Sequence, residues 1–121
     1  MAHKQLAILI RQAPYTTIGT AEAVRHAGGA LAGGWNVRLL LVDDGVYLAR
    51  DGQAAGDTGY VCLSSALAKV MAKGAQVMLL DRSAQRRGLV PGQPGVLPGV
   101  ALMDECALAG QLLAAGTLMV Y

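Results

Sequence analysis

Two thiols, an aspartate pair and a cluster of arginines are the residues in this chain whose types suit chemistry. A thiolate is the strongest nucleophile a neutral-pH protein commonly offers, so Cys62 and Cys106 come first. Cys106 is expected in the first turn of a helix, where the macrodipole favours a thiolate, but Asp104 and Glu105 beside it disfavour negative charge. Cys62 is expected about one turn into its helix, on a mildly electropositive face with Ala66, Lys69 and Lys73. The alternative for both is a free cysteine acting as a small hydrophobe. They are far apart and form neither a CxxC nor a metal-type spacing. Asp43 and Asp44 follow an apolar run and would suit a magnesium ion, as paired acids do in receiver domains. A receiver, however, places such a pair after its first strand and a lysine after its last, and the last apolar run here ends at Val120 and Tyr121. The other reading makes one aspartate a helix cap and the other part of the turn before Gly45. No metal or cofactor is expected. Arg82, Arg86 and Arg87 would receive an anion or an acidic partner surface, or would cap the end of their own short helix near Gly88. His3 and His26 suggest no ligand set.

These groups need elements to position them. The apolar runs Gln5 to Ile10, Asn36 to Val42, Gln76 to Leu80, Val100 to Met103 and Thr117 to Tyr121 read as strands. Helical stretches lie between them: Ala21 to Ala32 with Thr20 as N-cap, a short "VYLAR", and a helix capped by Asp57 or Thr58 and running to Lys73. A short "DRSAQRRG" helix follows, and then "ECALAGQLLAA" capped by Asp104. The core stripe of the helix before Lys73 is Leu63, Leu67, Val70 and Met71. Asp51 to Gly59 is polar and Gly-rich, a loop by composition, and the prolines and glycines of Leu89 to Gly99 exclude regular structure. Strands alternating with helices predict one α/β domain over residues 1–121. The expected fold is a three-layer, flavodoxin-like sandwich with a five-stranded, mainly parallel sheet. In such sheets the working residues lie beyond the carboxyl ends of the strands, at "RQAPYTT", "DDG", "DRSAQRR" and "MDEC". Tyr15, Thr16, Asp43, Asp44, Tyr47, Asp81, Arg82, Arg86 and Arg87 are therefore the expected lining of a pocket or an interface.

Composition narrows the function. The formal net charge of +2 argues against a nucleic-acid binder built on phosphate contacts. The apolar fraction is 54% but the aromatic fraction only 4%, so the core must be aliphatic. So much apolar material in 121 residues leaves surface for partner subunits to cover. No apolar run has the roughly 18 residues of a membrane span, and the N-terminal run is too short for a signal peptide. A cytoplasmic protein with reduced cysteines is expected.

Four segments together carry a family resemblance: "ILIRQAPYTT", "VRLLLVDDGVYLARDGQ", "AKGAQVMLLDRSAQRRGL" and the terminal "GTLMVY". In their order and spacing the chain resembles the DsrE/DsrF (TusD/TusC) sulfur-relay family, with an "APYTT" loop closer to the DsrF/TusC branch. The resemblance implies a flavodoxin-like fold and assembly into trimers or hexamers, homomeric or with related subunits. It also implies sulfur passed as a persulfide on one cysteine that ends the third strand, to or from a sulfur-carrier protein. Counting back from Arg86, Arg87 and Gly88 puts Leu80 at that position. Leucine cannot accept sulfane sulfur, and neither Cys62 nor Cys106 matches the slot. The resemblance therefore implies a non-catalytic subunit of a sulfur-relay complex. The alternatives are a sulfur carrier using Cys106 or Cys62, or a small-ligand module around Tyr15, Asp43, Asp44 and Arg82.

Overall fold

Five short aliphatic runs form five parallel strands in the computed structural model, which describes residues 4–51 and 62–121: β1 (Gln5–Ile10), β2 (Asn36–Leu41), β3 (Gln76–Leu80), β4 (Ala101–Met103) and β5 (Thr117–Val120). Between them lie α1 (Gly19–Ala32), a 3-10 turn (Asp43–Ala49), α2 (Leu63–Ala72), the short α3 (Asp81–Arg86) and α4 (Glu105–Ala114). The sheet order is β4-β3-β2-β1-β5, all parallel. The three-layer α/β sandwich is as expected. The order of the strands reverses between β1 and β5, so the chain steps one way from β1 to β4 and then returns across the sheet to β5.

Right-handed crossovers put helices of opposite stepping direction on opposite faces. Accordingly α1, the 3-10 turn, α2 and α3 share one face, where Ala23, Val24, Leu48, Leu67 and Ala84 pack on Ile8, Leu39 and Leu79. On the other face α4 is the one helix among the described residues. Its Leu108 and Leu112 pack against a small cluster of Ala7, Leu40 and Met103. No residue of α4 is buried. Strand residues alternate between the faces, and register carries the alternation across the sheet. Leu118 pairs with Ala7 and Val120 with Leu9, which places both on the α4 side, where each is exposed.

Several local expectations change. Helix α1 begins before Thr20, with Ile18 at the cap position. Thr20 is buried inside the helix, and its hydroxyl donates to the carbonyl oxygens of Gln12 and Ala13. Strand β2 stops at Leu41, and neither Asp43 nor Asp44 caps the turn that follows, whose cap position is Val42. Asp104 does cap α4, accepting from the Ala107 N–H at 2.7 Å. His26 is half-buried, and its Nδ1 meets the hydroxyl of Tyr121. The cap expected at Asp57 or Thr58, most of the Gly-rich loop, and His3 lie outside the described residues.

One close approach ties the turn to the sheet. A Cβ on Gly45 would stand 2.1 Å from the carbonyl oxygen of Ile10, which already accepts the Val42 N–H at 3.0 Å. Backbone cannot yield as a flexible side chain can, so the position admits only glycine. Helix α4 offers the opposite case, since nothing lies within 4 Å of a Cβ on Gly110. Gly45→Ala is expected to destabilise the protein by about 3 kcal/mol. Gly110→Ala is expected to stabilise it by about 0.5–1 kcal/mol through helix propensity. Urea unfolding of the two variants checks both signs.

Candidate functional site

The carboxyl ends of β2, β3 and β4 open into a pocket of about 510 Å³. Its wall begins with Asp43 and Asp44, where the chain leaves β2, and Tyr47 follows within the 3-10 turn. Leu80 ends β3 at its floor, and α3 contributes Arg82, Ser83, Arg86 and Arg87. Glu105, first residue of α4, closes the far side. Six of the nine residues expected as lining thus converge, together with Leu80, while Ser83 and Glu105 carried no sequence signal beyond their loops.

The backbone at the pocket is held from α3. Asp43 has a φ of +50°, in the left-handed region that costs most residues energy and that Asp and Asn tolerate best. Its N–H donates to the Ser83 hydroxyl at 2.8 Å, and Ser83 is buried. Arg87 closes on Asp44, its Nε donating to Oδ1 at 2.9 Å, and donates again to the Ser83 carbonyl oxygen at 3.1 Å. The bond to Ser83 is the cap expected at the end of its own helix, while the rest of the guanidinium is taken by an acid of the same chain rather than by a ligand or a partner. Arg82 reaches Glu105 at 3.4 Å in an exposed pair worth little to stability. Leu80 turns toward the α4 side, packed against Ala7, Leu40 and Met103.

Other expected residues stand apart from this lining. The Asp81 carboxylate accepts the Arg82 N–H at 2.6 Å at the start of α3. Tyr15, with a φ of +71°, sends its hydroxyl to accept the Leu63 N–H at 3.0 Å. Thr16 donates to the Ala13 carbonyl oxygen at 2.7 Å. Tyr15 thus joins the loop after β1 to the start of α2, while the Thr16 bond stays within that loop. Among the described residues there is no group of three or more His, Cys, Asp or Glu side chains able to hold a metal ion.

Neither thiol lines the pocket. Cys106 is exposed in the first turn of α4, as expected. Cys62 is not one turn into its helix; it is the N-cap residue of α2, in extended conformation. Its Sγ lies 3.4 Å from the Ser64 hydroxyl, and Ser65 donates to it at 3.3 Å. These hydroxyls, Ser64 foremost and then Ser65, stabilise the thiolate and lower its pKa to about 7, with the first-turn N–H groups adding to the effect. The sequence reading missed this setting because the helix start was placed too early. Since the hydroxyls favour the charged form, alkylation of Cys62 should rise with pH and reach half its maximal rate near pH 7. Ser64→Ala and Ser65→Ala should each move that midpoint upward. Peptide mapping after a short iodoacetamide pulse at stepped pH reads this directly.

Known proteins resemble this chain in sequence and in fold. An uncharacterized protein of Methanopyrus kandleri, MK0008, is 32% identical over 85 residues, covering 69% of this chain and 68% of that protein. The crystal structure of the ychN protein from E. coli superposes with a TM-score of 0.87 at 24% identity, covering 98% of this chain and 99% of the other. MTH1491 of Methanobacterium thermoautotrophicum, a protein of unknown function, superposes at 0.74 with 10% identity, again over 98% and 99% of the two chains. The family model described as DsrE/DsrF-like matches residues 4–121, and the chain belongs to the DsrE/DsrF-like family.

Proposed function

We propose that this protein is a binding subunit of a cytoplasmic, oligomeric sulfur-relay-type complex and that it does not itself carry sulfur. The observation that carries this reading is the leucine at the end of β3. The resemblance implies a persulfide-bearing cysteine there, and at that position stands Leu80, an aliphatic residue at a pocket that no thiol lines. The surface supports the assembly. Leu118 and Val120 are 45% and 51% exposed beside a sheet face that α4 covers only in part, and Leu113 on α4 is 87% exposed. A second copy or a related subunit would remove that surface from water, at roughly 25 cal/mol for each Å² of apolar area.

A second reading follows from Cys62, whose lowered pKa suits a sulfur acceptor. Against it stands position, since Cys62 lies at the start of α2 and outside the pocket at the strand ends.

Incubation with a persulfide donor followed by mass spectrometry separates these readings. The binding subunit is expected to gain no sulfur (about 32 Da per atom) at any cysteine. Leu80→Cys is expected to gain one sulfur at the new thiol. An adduct on the unmodified chain that Cys62→Ser abolishes would establish the carrier reading instead. Sedimentation tests the assembly: a 12.5 kDa monomer at micromolar concentration would contradict it, and Leu118→Asp with Val120→Asp is expected to dissociate it without unfolding the chain.

A further inference from the structure

The pocket is lined by three arginines and three carboxylates, and they do not all find partners. Arg87 is closed on Asp44 at 2.9 Å, and Arg82 reaches Glu105 at 3.4 Å. That leaves one ion of each sign. Among the described residues, the Arg86 guanidinium and the Asp43 carboxylate make no hydrogen bond or ion pair, and both residues are exposed at the pocket. A simple anion attracted by Arg86 would also meet the negative charge of Asp43. A simple cation attracted by Asp43 would meet Arg86. A molecule carrying both charges satisfies the two at once.

We infer that this pocket binds a small zwitterion of the α-amino acid class, with its carboxylate on Arg86 and its ammonium group on Asp43. Arginine presents a planar fork of donors that matches a carboxylate, and the ion on each side makes both contacts charge-assisted. The remaining wall fits an uncharged side chain, because Leu80 and Tyr47 line the same pocket as the charged groups. A volume of about 510 Å³ lies within the usual range for small-molecule sites and admits an amino acid or a dipeptide. The main chain that carries the Asp43 carboxylate is held in place, since at a φ of +50° its N–H donates to buried Ser83 at 2.8 Å, so the backbone need not reorder when a ligand arrives. None of these contacts involves a thiol, so the inference goes beyond the binding-subunit reading and does not rest on it.

Calorimetry on the full chain with L-leucine, N-acetyl-L-leucine and L-leucine methyl ester tests it. L-Leucine is expected to bind, and each capped analogue to bind at least about tenfold more weakly, since each loses one charge-assisted contact. Arg86→Gln and Asp43→Asn are each expected to weaken L-leucine by a similar factor. Asp43→Asn should also lose its discrimination against the N-acetyl form, and Arg86→Gln its discrimination against the ester. Asp43→Gly, which suits the positive φ, repeats the carboxylate removal should the asparagine variant fold poorly. Equal binding of N-acetyl-L-leucine would make this a plain anion site and overturn the inference, as would equal binding of the ester. No heat from any of the three at about 10 mM, or variants that bind L-leucine unchanged, would equally overturn it. A failure here leaves the persulfide and sedimentation results untouched, and the converse holds as well.

Discussion

The whole arrangement depends on the direction in which the chain crosses its sheet. Four strands laid down in one direction commit their connecting segments to one face, because a right-handed crossover allows no other side. The final return to β5 must then use the opposite face, which helix α4 covers. From this come a thick, well-filled core on one side and a thin cluster around Ala7, Leu40 and Met103 on the other. The same constraint gathers the ends of β2, β3 and β4 beside one another, so that the 3-10 turn, α3 and the start of α4 meet over a shared pocket.

Within that frame the pocket is braced rather than merely lined. Gly45 lets the turn after β2 pass against the carbonyl of Ile10, and Ser83 receives the Asp43 N–H from the side of α3. Arg87 then joins α3 to the turn through Asp44. Backbone geometry and side-chain chemistry are fixed by the same few contacts, which is the arrangement expected where a site needs preorganised groups.

Much of this was legible in the residues. Five aliphatic runs separated by helix-length stretches are a strong periodic signal, and β1 and β3 begin and end where that signal places them. The rule that open α/β sheets work at their carboxyl ends then brought Asp43, Tyr47, Leu80 and the arginines to one place. What sequence did not disclose depends on contacts between distant segments. Nothing local distinguishes Thr20 as a buried bond to the Gln12 carbonyl from Thr20 as a helix cap. Ser83 and Glu105 become pocket residues only when α3 and α4 are brought together, and the Cys62 thiol owes its setting to a helix that starts there rather than earlier. The strand order was equally hidden, since alternation sets the number of strands and not their neighbours.

The pairing of β1 with β5 has a consequence for how the protein comes into being. Leu6 must wait for Thr117, almost the entire length of the chain, before its outer edge is satisfied. Contacts of such sequence separation slow folding, because loop closure precedes the gain from pairing. During synthesis β2 can occupy one edge of β1 early, while the other edge stays open until the last strand emerges. A nascent chain therefore spends that interval with one edge of β1 unpaired.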